Sequence, residues 1–434
     1  MIKDKVFWYE TKDASRPALT SDCTADVVIV GGGMSGLMCA HALVIAGKSV
    51  IIVEKDFCGA GASGKSSGFI SPDSELELSD LISNYGKETA RSLWGFVSEG
   101  VAIIRNVIER YHIDCDFEVQ DSCYISTYRR GVKNIVAEHN ARESLGFTSI
   151  LYNRQTLLSV LGSSAFYGGV RYPETFGIDG FRFCQGLATE LERMGVRIFE
   201  SSPVIKVEKE YIQSGLYKVS AKVIVLCTDR FLPELGFLQH DLFQLQTFLA
   251  VSKPLAQEHV KKLFPEKRMM VWDSKLIYNY FRITGDNRLL LGGANMWYTY
   301  TRKEHHDAAH VIRRLERFFS KKFPGVSVEW EYLWPGMVGV SKDVLPIAGQ
   351  SHEDPDRYYI TATAGLPWAA ALGSYIAAKI TNPQKHPLDP YFSPYRRYSV
   401  GKGMEKIIGK PLSFLLAHTI MKYFGKVFWM KNKK

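Results

Sequence analysis

One run of glycines constrains this chain more than any other feature. "ADVVIV" (25–30) is continuous, apolar and β-branched, the pattern of a strand covered on both faces. "GGGMSG" follows at 31–36, and "MSGLMCAHALVIAG" then reads as a helix closed by Gly47. "SVIIVE" (49–54) is a second buried strand that ends in an acid, Glu54, 18 residues beyond Gly36. Strand, G-x-G-x-x-G, helix, strand and acid in this order have the spacing of a dinucleotide-binding βαβ unit. In that unit Gly31 permits the tight turn, Gly33 lets a pyrophosphate approach the backbone, and Gly36 lets helix and strand touch. Met34 and Ser35 open the helix whose N-terminus faces the pyrophosphate. Glu54 accepts hydrogen bonds from ribose hydroxyls, and Lys55 follows it.

This unit does not separate NAD from FAD. A second small-residue stretch, "GAGASGKSSG" (59–68), begins five residues after Glu54. FAD is long and needs protein along its ribityl chain. Ala62, Ser63, Gly64, Ser66, Ser67 and Gly68 offer close backbone approach and many N–H donors.

The rest of the chain alternates between two kinds of pattern. Further αβ signals lie at "FRFCQGLATELERMGVRIFESSPVIKV", "AKVIVLCTD" and "RYYITATAGLPWAAALGSYIAAKI". Residues 80–145 read as largely helical, and 243–293 as short antiparallel strands. The reading is α/β with α+β insertions. A discontinuous Rossmann-like nucleotide-binding domain takes 1–78, 150–235 and 335–390. A substrate or cap domain with an antiparallel sheet takes 79–149 and 236–334, and a basic amphipathic tail takes 391–434. The 434 residues suffice for two domains. Seven cysteines are scattered without a CxxC spacing, which points to a reducing, cytoplasmic setting and to no metal site. "MIKDKVFWYETKD" lacks an apolar h-region, so no secretory signal is expected. His305, His306 and His310 read as a solvated helix face. The net charge of +9 is equalled by 391–434 alone, with ten Lys/Arg against one acid, so a nucleic-acid-binding body is not supported.

These segments, in this order, resemble the FAD-dependent oxidoreductases of the D-amino-acid oxidase family, in its glycine oxidase and gamma-glutamylputrescine oxidase branch. "ADVVIVGGGMSGLMCAHAL" and "VEKDFCGAGASGKSSGFISP" look like its opening. "SSPVIKV" resembles the segment that brings a Val, here Val204, to the adenine. "AKVIVLCTDRFLPELG", with Cys227 and Thr228, resembles the strand that passes the flavin. "WPGMVGVSKDVLPIAG", with Gly339 and Asp343, resembles the segment near the flavin ring. "TATAGLPWAAALGSYIA", with Gly365, Leu366, Pro367 and Trp368, resembles the last glycine turn and its helix. Even "FWYET" matches the family's short lead-in.

The resemblance implies oxidation of an amine or amino acid. A hydride leaves the carbon bearing nitrogen for flavin N5, and the resulting imine hydrolyses. The family's covalent tethers are a Cys or a His in two loops, which here read "GMVGVSKD" and "GKSSG", so FAD is expected to be non-covalent. Leu290 stands where some members place a Lys for oxygen reactivity. The acceptor is therefore O2 or, for a dehydrogenase at a membrane surface, a quinone. A non-catalytic flavin-binding subunit is the reading from another class. In "YNYFR", Tyr278, Tyr280 and Arg282 alternate on one strand face, a set that could clamp a substrate carboxylate. Trp334 and Trp368 are candidates for walls of the flavin pocket.

Beyond the likeness, a helix is expected from Pro411. His418, Lys422 and Lys426 form a narrow polar stripe between wide apolar faces. Its lysines and glycine argue against a span. A basic helix of this kind suits the inner face of an anionic membrane.

Overall fold

The apolar runs at 25–30 and 49–54 become the strands Cys23–Val30 and Val50–Val53, which pair in parallel. Arg197–Phe199 adds in parallel beside Val50–Val53. Tyr217–Leu226 adds in parallel beside Cys23–Val30, and Arg357–Thr361 adds beyond it. Strands from distant parts of the chain thus build one parallel layer, and Val28, Ile29, Ile51 and Ile52 at its centre are fully buried. Helices Met34–Ile45, Lys87–Tyr111, Gly180–Arg193 and Leu366–Thr381 enclose one core with the Val27 and Ile29 side of the layer. Val28 and Val30 point to a second core, closed by an antiparallel meander through Val204–Val207 and Tyr211–Ser214. The computed structural model describes residues 2–12, 15–73, 75–293, 299–301, 303–306 and 308–423.

Among the described residues a second sheet has nine strands. Its middle is the antiparallel set expected for 243–293: Phe243–Pro254, Arg288–Gly293, Tyr280–Ile283 and Met269–Asp273. Trp330–Val340 pairs with Phe243–Pro254 along its length. Helix Ala308–Lys322 lays Val311, Ile312, Leu315 and Phe319 on this sheet.

Several placements differ from the sequence-based division: Lys3–Asp4, residues 335–340 of Trp330–Val340, and the strands within 150–172 all lie in the nine-stranded sheet. Ile150–Asn153 and Gly168–Tyr172 pair with each other and, through the latter, with Asp121–Ser126 at the end of the nine-stranded sheet. Residues 150–172 therefore go with that sheet and not with the nucleotide layer. Asp121–Ser126 is itself a buried strand inside the stretch read as helical. A short strand carries no mark of the sheet it will join, because its partners lie far away in sequence.

The tail also differs. Helix Lys410–Tyr423 forms as expected from the region of Pro411, but the helix is turned the other way round. Of the polar stripe, His418 is 4% exposed, and Lys422 reaches Asp80 at 2.7 Å. Phe414 sits fully buried against Phe243, Leu245 and Val340. Leu412 and Leu416 face outward. Lys426 and the aromatic end of the tail lie outside the described residues. Among the described residues no helix is long and apolar enough to cross a membrane.

Candidate active site

A cavity of about 540 Å³ is lined from both sheets. On the nucleotide side it begins at the glycine turn. Gly31 has φ +110°, and a Cβ there would lie 2.4 Å from the Cys227 carbonyl oxygen. A Cβ on Gly36 would lie 2.0 Å from the Gly31 oxygen, so the helix approaches the strand as only glycine allows. A Cβ on Gly33 would meet only Ser63 Oγ, at 3.3 Å. Ser35 and the strand-end residues Val30 and Val53 complete this wall.

Glu54 is buried at the cavity wall and takes the Gly32 N–H at 2.7 Å and the Asp56 N–H at 3.0 Å. Burial raises its pKa, and the two N–H donors act in the opposite direction. The carboxylate thus shapes the turn as well as facing the site. Lys55, Val204, Cys227, Thr228, Gly365 and Leu366 line the same cavity. Among the described residues Thr228 Oγ1, buried there, has no hydrogen-bond partner, an orphan of the kind a ligand satisfies.

The second glycine-rich stretch is fastened to the first and to the far sheet. The Met34 N–H donates to Ser63 Oγ at 2.9 Å. The Trp334 indole donates to the Lys65 carbonyl at 3.1 Å, and the Trp8 indole to the Ser66 carbonyl at 2.9 Å. Arg282 Nε donates to the Ser67 carbonyl at 2.8 Å, and the Ile178 N–H to the Gly68 carbonyl at 2.9 Å. Tyr9 OH donates to the Ala60 carbonyl at 2.8 Å. Four consecutive carbonyls are therefore held from behind, while Ala62, Ser63, Ser66 and Ser67 line the cavity. Gly64 and Gly68 do not line it. A Cβ at Gly64 would strike the Gly59 oxygen, and one at Gly68 the Ile178 oxygen.

On the far side the structure brings Tyr278 and Tyr280 to the cavity with Trp272, Phe69, Asp73 and Glu75. Tyr278 OH meets Glu75 Oε1 at 3.3 Å, and Tyr280 OH meets Thr247 Oγ1 at 3.3 Å. The Tyr280 ring lies over Gly292, where a Cβ would come within 2.1 Å of it. Burial pushes Asp73 up to about 7 and raises Glu75.

Arg282 is not brought to the cavity. It is fully buried, and its fork is occupied by carbonyls, including Ile178 at 2.6 Å. It fastens the loop and cannot clamp a substrate carboxylate. Asp343 is likewise occupied, by Arg396 at 2.7 Å. Gly339 donates to Asp229 at 2.8 Å from the strand behind the cavity. Met34 and Trp368 are core residues, Trp368 packing on Phe96 and Phe392. Pro367 starts its helix, and its carbonyl abuts Gly100. Trp334 is an anchor of the loop.

Sequence reasoning missed Trp8 and Tyr9 as anchors, and Asp73 and Glu75 as lining. The available signals were "FWYET" and the acids of "PDSELEL" directly after the glycine-rich stretch. Among the described residues no group of three or more His, Cys, Asp or Glu has the arrangement of a metal site. His305 and His306 precede the helix that begins at Ala308, and His305 Nε2 lies 2.8 Å from Thr301 Oγ1.

Comparison with known proteins agrees with this geometry. The family model described as "FAD dependent oxidoreductase" (DAO) matches residues 26–379. The chain is 27% identical over 374 residues to the probable oxidoreductase OrdL of Haemophilus influenzae, covering 84% of each chain. It is 26% identical over 364 residues to the gamma-glutamylputrescine oxidoreductase of Escherichia coli, covering 82% of each. Glycine oxidase from Geobacillus kaustophilus superposes with a TM-score of 0.74 at 18% identity, over 86% of this chain and 99% of that one. L-proline dehydrogenase from P. horikoshii gives 0.73 at 17%, over 87% and 98%.

Proposed function

We propose, from the premise that the chain belongs to the family of FAD-dependent oxidoreductases, that it oxidises an amine, with FAD held non-covalently in the cavity between the glycine turn and the nine-stranded sheet. Bound FAD supplies the two-electron acceptor chemistry. The chain's own part is to hold the cofactor and to orient a C–H bond. Gly31, Gly33, Gly36 and Glu54 would hold the nucleotide half, and Val204, which lines the same cavity, would serve the adenine. Ala62, Ser63, Ser66, Ser67, Cys227, Thr228, Gly365 and Leu366 line the path of the remainder.

The observation that carries the substrate reading is the far wall. Tyr278, Tyr280 and Trp272 enclose it, its acids are Asp73 and Glu75, and Arg282 is turned away to backbone carbonyls. Such a wall favours an amine with a further cationic group over a substrate carboxylate. Cation–π and carboxylate contacts serve that group.

An anaerobic screen of amines and amino acids for loss of flavin absorbance tests this. Diamines and other cationic amines are expected to bleach the flavin, whereas bleaching by α-amino acids alone would overturn the amine reading. If nothing bleaches it, the non-catalytic flavin-binding subunit becomes the better account. Asp73→Asn and Glu75→Gln are each expected to raise KM for a diamine about tenfold, the loss of roughly one charge-assisted contact. The raised pKa sets the sign with pH. Below about 7 Asp73 is mostly protonated, so affinity for the diamine rises as pH climbs through that value and stays flat in Asp73→Asn.

The same reading extends to the electron acceptor. Leu290 is fully buried beside Leu249 and Trp334, so no lysine serves oxygen there. A quinone is the proposed acceptor, met at an anionic membrane. The outward residues of the tail support this. Met404, Ile407, Leu412 and Leu416 are exposed, with Ile407 81% open, and exposed Lys402 and Lys406 lie beside them. Sedimentation with vesicles containing phosphatidylglycerol should carry the protein down at low salt. Ile407→Glu with Leu412→Glu should leave it in the supernatant, and equal binding by the variant would refute this part.

A further inference from the structure

The family match ends at residue 379, yet the chain after it borders a small cavity beside the main one. Three of its side chains take three successive residues of one loop. His418 Nε2 donates to the Ser341 carbonyl at 2.8 Å. Glu405 accepts from Lys342 Nζ at 2.7 Å. Arg396 donates twice to Asp343, through Nε and Nη2, each at 2.7 Å, and once more to the Leu345 carbonyl at 2.7 Å.

These ties are buried. Ser341 is 0% and Lys342 2% exposed. The remaining ring nitrogen of His418 accepts from Tyr300 OH at 2.8 Å, so the two bonds together define one neutral tautomer. Burial lowers the His418 pKa to about 4, which keeps that tautomer in place at neutral pH. The loop needs holding. Val344 has φ +64°, a left-handed conformation that a β-branched residue rarely adopts.

The position of the loop gives the ties a purpose. It continues directly from Trp330–Val340, whose Gly336, Met337 and Val338 line the main cavity. A small adjoining cavity of about 50 Å³ is bounded by Val344, His418 and Lys422, and it shares Glu75, Trp272 and Tyr278 with the main one. Nearby, Lys422 reaches Asp80, and Asn84 Nδ2 donates to the Met421 carbonyl at 3.0 Å. The segment thus packs on the end of the strand that lines the main cavity, through Phe414 against Val340, and shares the small cavity with Glu75.

We infer that residues 396–422 form a clasp whose task is to position the substrate wall of the cavity, with Arg396, Glu405 and His418 as positioning residues acting through Ser341–Asp343. The inference rests on the reading of this cavity as the site of amine oxidation. It separates binding of the cofactor from binding of the substrate. Among the described residues, His418 and Lys422 line the small cavity together with Tyr278 and Glu75, whereas the glycine turn and Glu54 are not part of that lining.

The test uses the full-length, FAD-loaded protein. His418→Ala is expected to keep its flavin content and its FAD affinity within about twofold. Its KM for a diamine is expected to rise about tenfold or more, since orientation of substrate is lost while cofactor binding is not. His418→Gln presents an N–H near the former Nε2 position and should recover most of the loss. Independently of any substrate, hydrogen exchange of amides 337–345 should quicken at least tenfold in His418→Ala and return towards wild type in His418→Gln.

A His418→Ala holoenzyme with unchanged KM and unchanged exchange overturns the clasp. So does a loss of flavin that parallels the loss of turnover, because that is the mark of general destabilisation. If His418→Ala does not fold, Arg396→Lys is read in the same two ways, since lysine keeps the charge but not the two-pronged contact. If no amine bleaches the wild type, the exchange measurement still decides the clasp while the proposed reaction falls.

Discussion

A Gly36→Ala protein is expected to emerge from purification colourless. The added methyl would stand 2.0 Å from the Gly31 carbonyl oxygen and 3.3 Å from Ile29 Cγ2. Alanine improves helix propensity by about 1 kcal/mol over glycine. Overpacking of a tight contact costs about 1–3 kcal/mol or more, and here the obstacle is backbone and cannot turn aside. The helix must back away from the strand, and the turn proposed to receive the pyrophosphate opens with it. FAD affinity should fall at least tenfold, read as the ratio of visible flavin absorbance to protein absorbance. Gly95→Ala is the control, because its Cβ meets nothing within 4 Å and it lies in helix Lys87–Tyr111, outside the cavity lining. A yellow Gly36→Ala protein would contradict the cradle, and one whose flavin survives denaturation would contradict non-covalent binding.

The second large effect is at Arg282. Arg282→Met should destabilise the protein by about 3–5 kcal/mol, the cost of breaking a buried charged network whose partners stay behind unsatisfied. The Ser67 and Ile178 carbonyls lose their donor, and Asp116, Glu118 and Asp179 lose the positive charge that offsets them. Because the Ser67 carbonyl belongs to the cofactor loop, flavin retention should fall with stability. Arg282→Lys should recover only part, since an ammonium cannot serve both carbonyls as the fork does. The decisive measurement is KM in whatever fraction keeps its FAD. A carboxylate clamp would make KM collapse in a protein of normal Tm, whereas a loop anchor leaves KM near wild type in a protein of lowered Tm.

Arg282 also shows where sequence reading stops. The alternation in "YNYFR" put Tyr278, Tyr280 and Arg282 on one strand face; the strand begins at Tyr280, and of the three only Tyr278 and Tyr280 line the cavity. It could not show that the cavity ends before Arg282, because that depends on Ser67, 215 positions away, coming to rest against the guanidinium. The tail repeats the lesson. The spacing of His418 and Lys422 marks a stripe, and the usual inference sends a polar stripe to water. Here Ser341, Tyr300 and Asp80 supply polar partners inside, so the stripe is buried and the apolar residues Leu412 and Leu416 are left outside.

The nucleotide-binding half was legible because its information is local. A strand, a turn, a helix and a second strand are consecutive, and their contacts, such as Gly36 on Gly31 or Glu54 on Gly32, lie within about twenty residues. Steric need for glycine and continuous apolar runs are properties a chain displays before it folds. Which sheet 150–172 would join, which carbonyls Arg282 would meet, and which way the last helix would turn are pairings over long sequence distances. Only the tertiary structure decided them, because the favoured partner of a buried polar group is whatever complementary group the rest of the fold delivers to it.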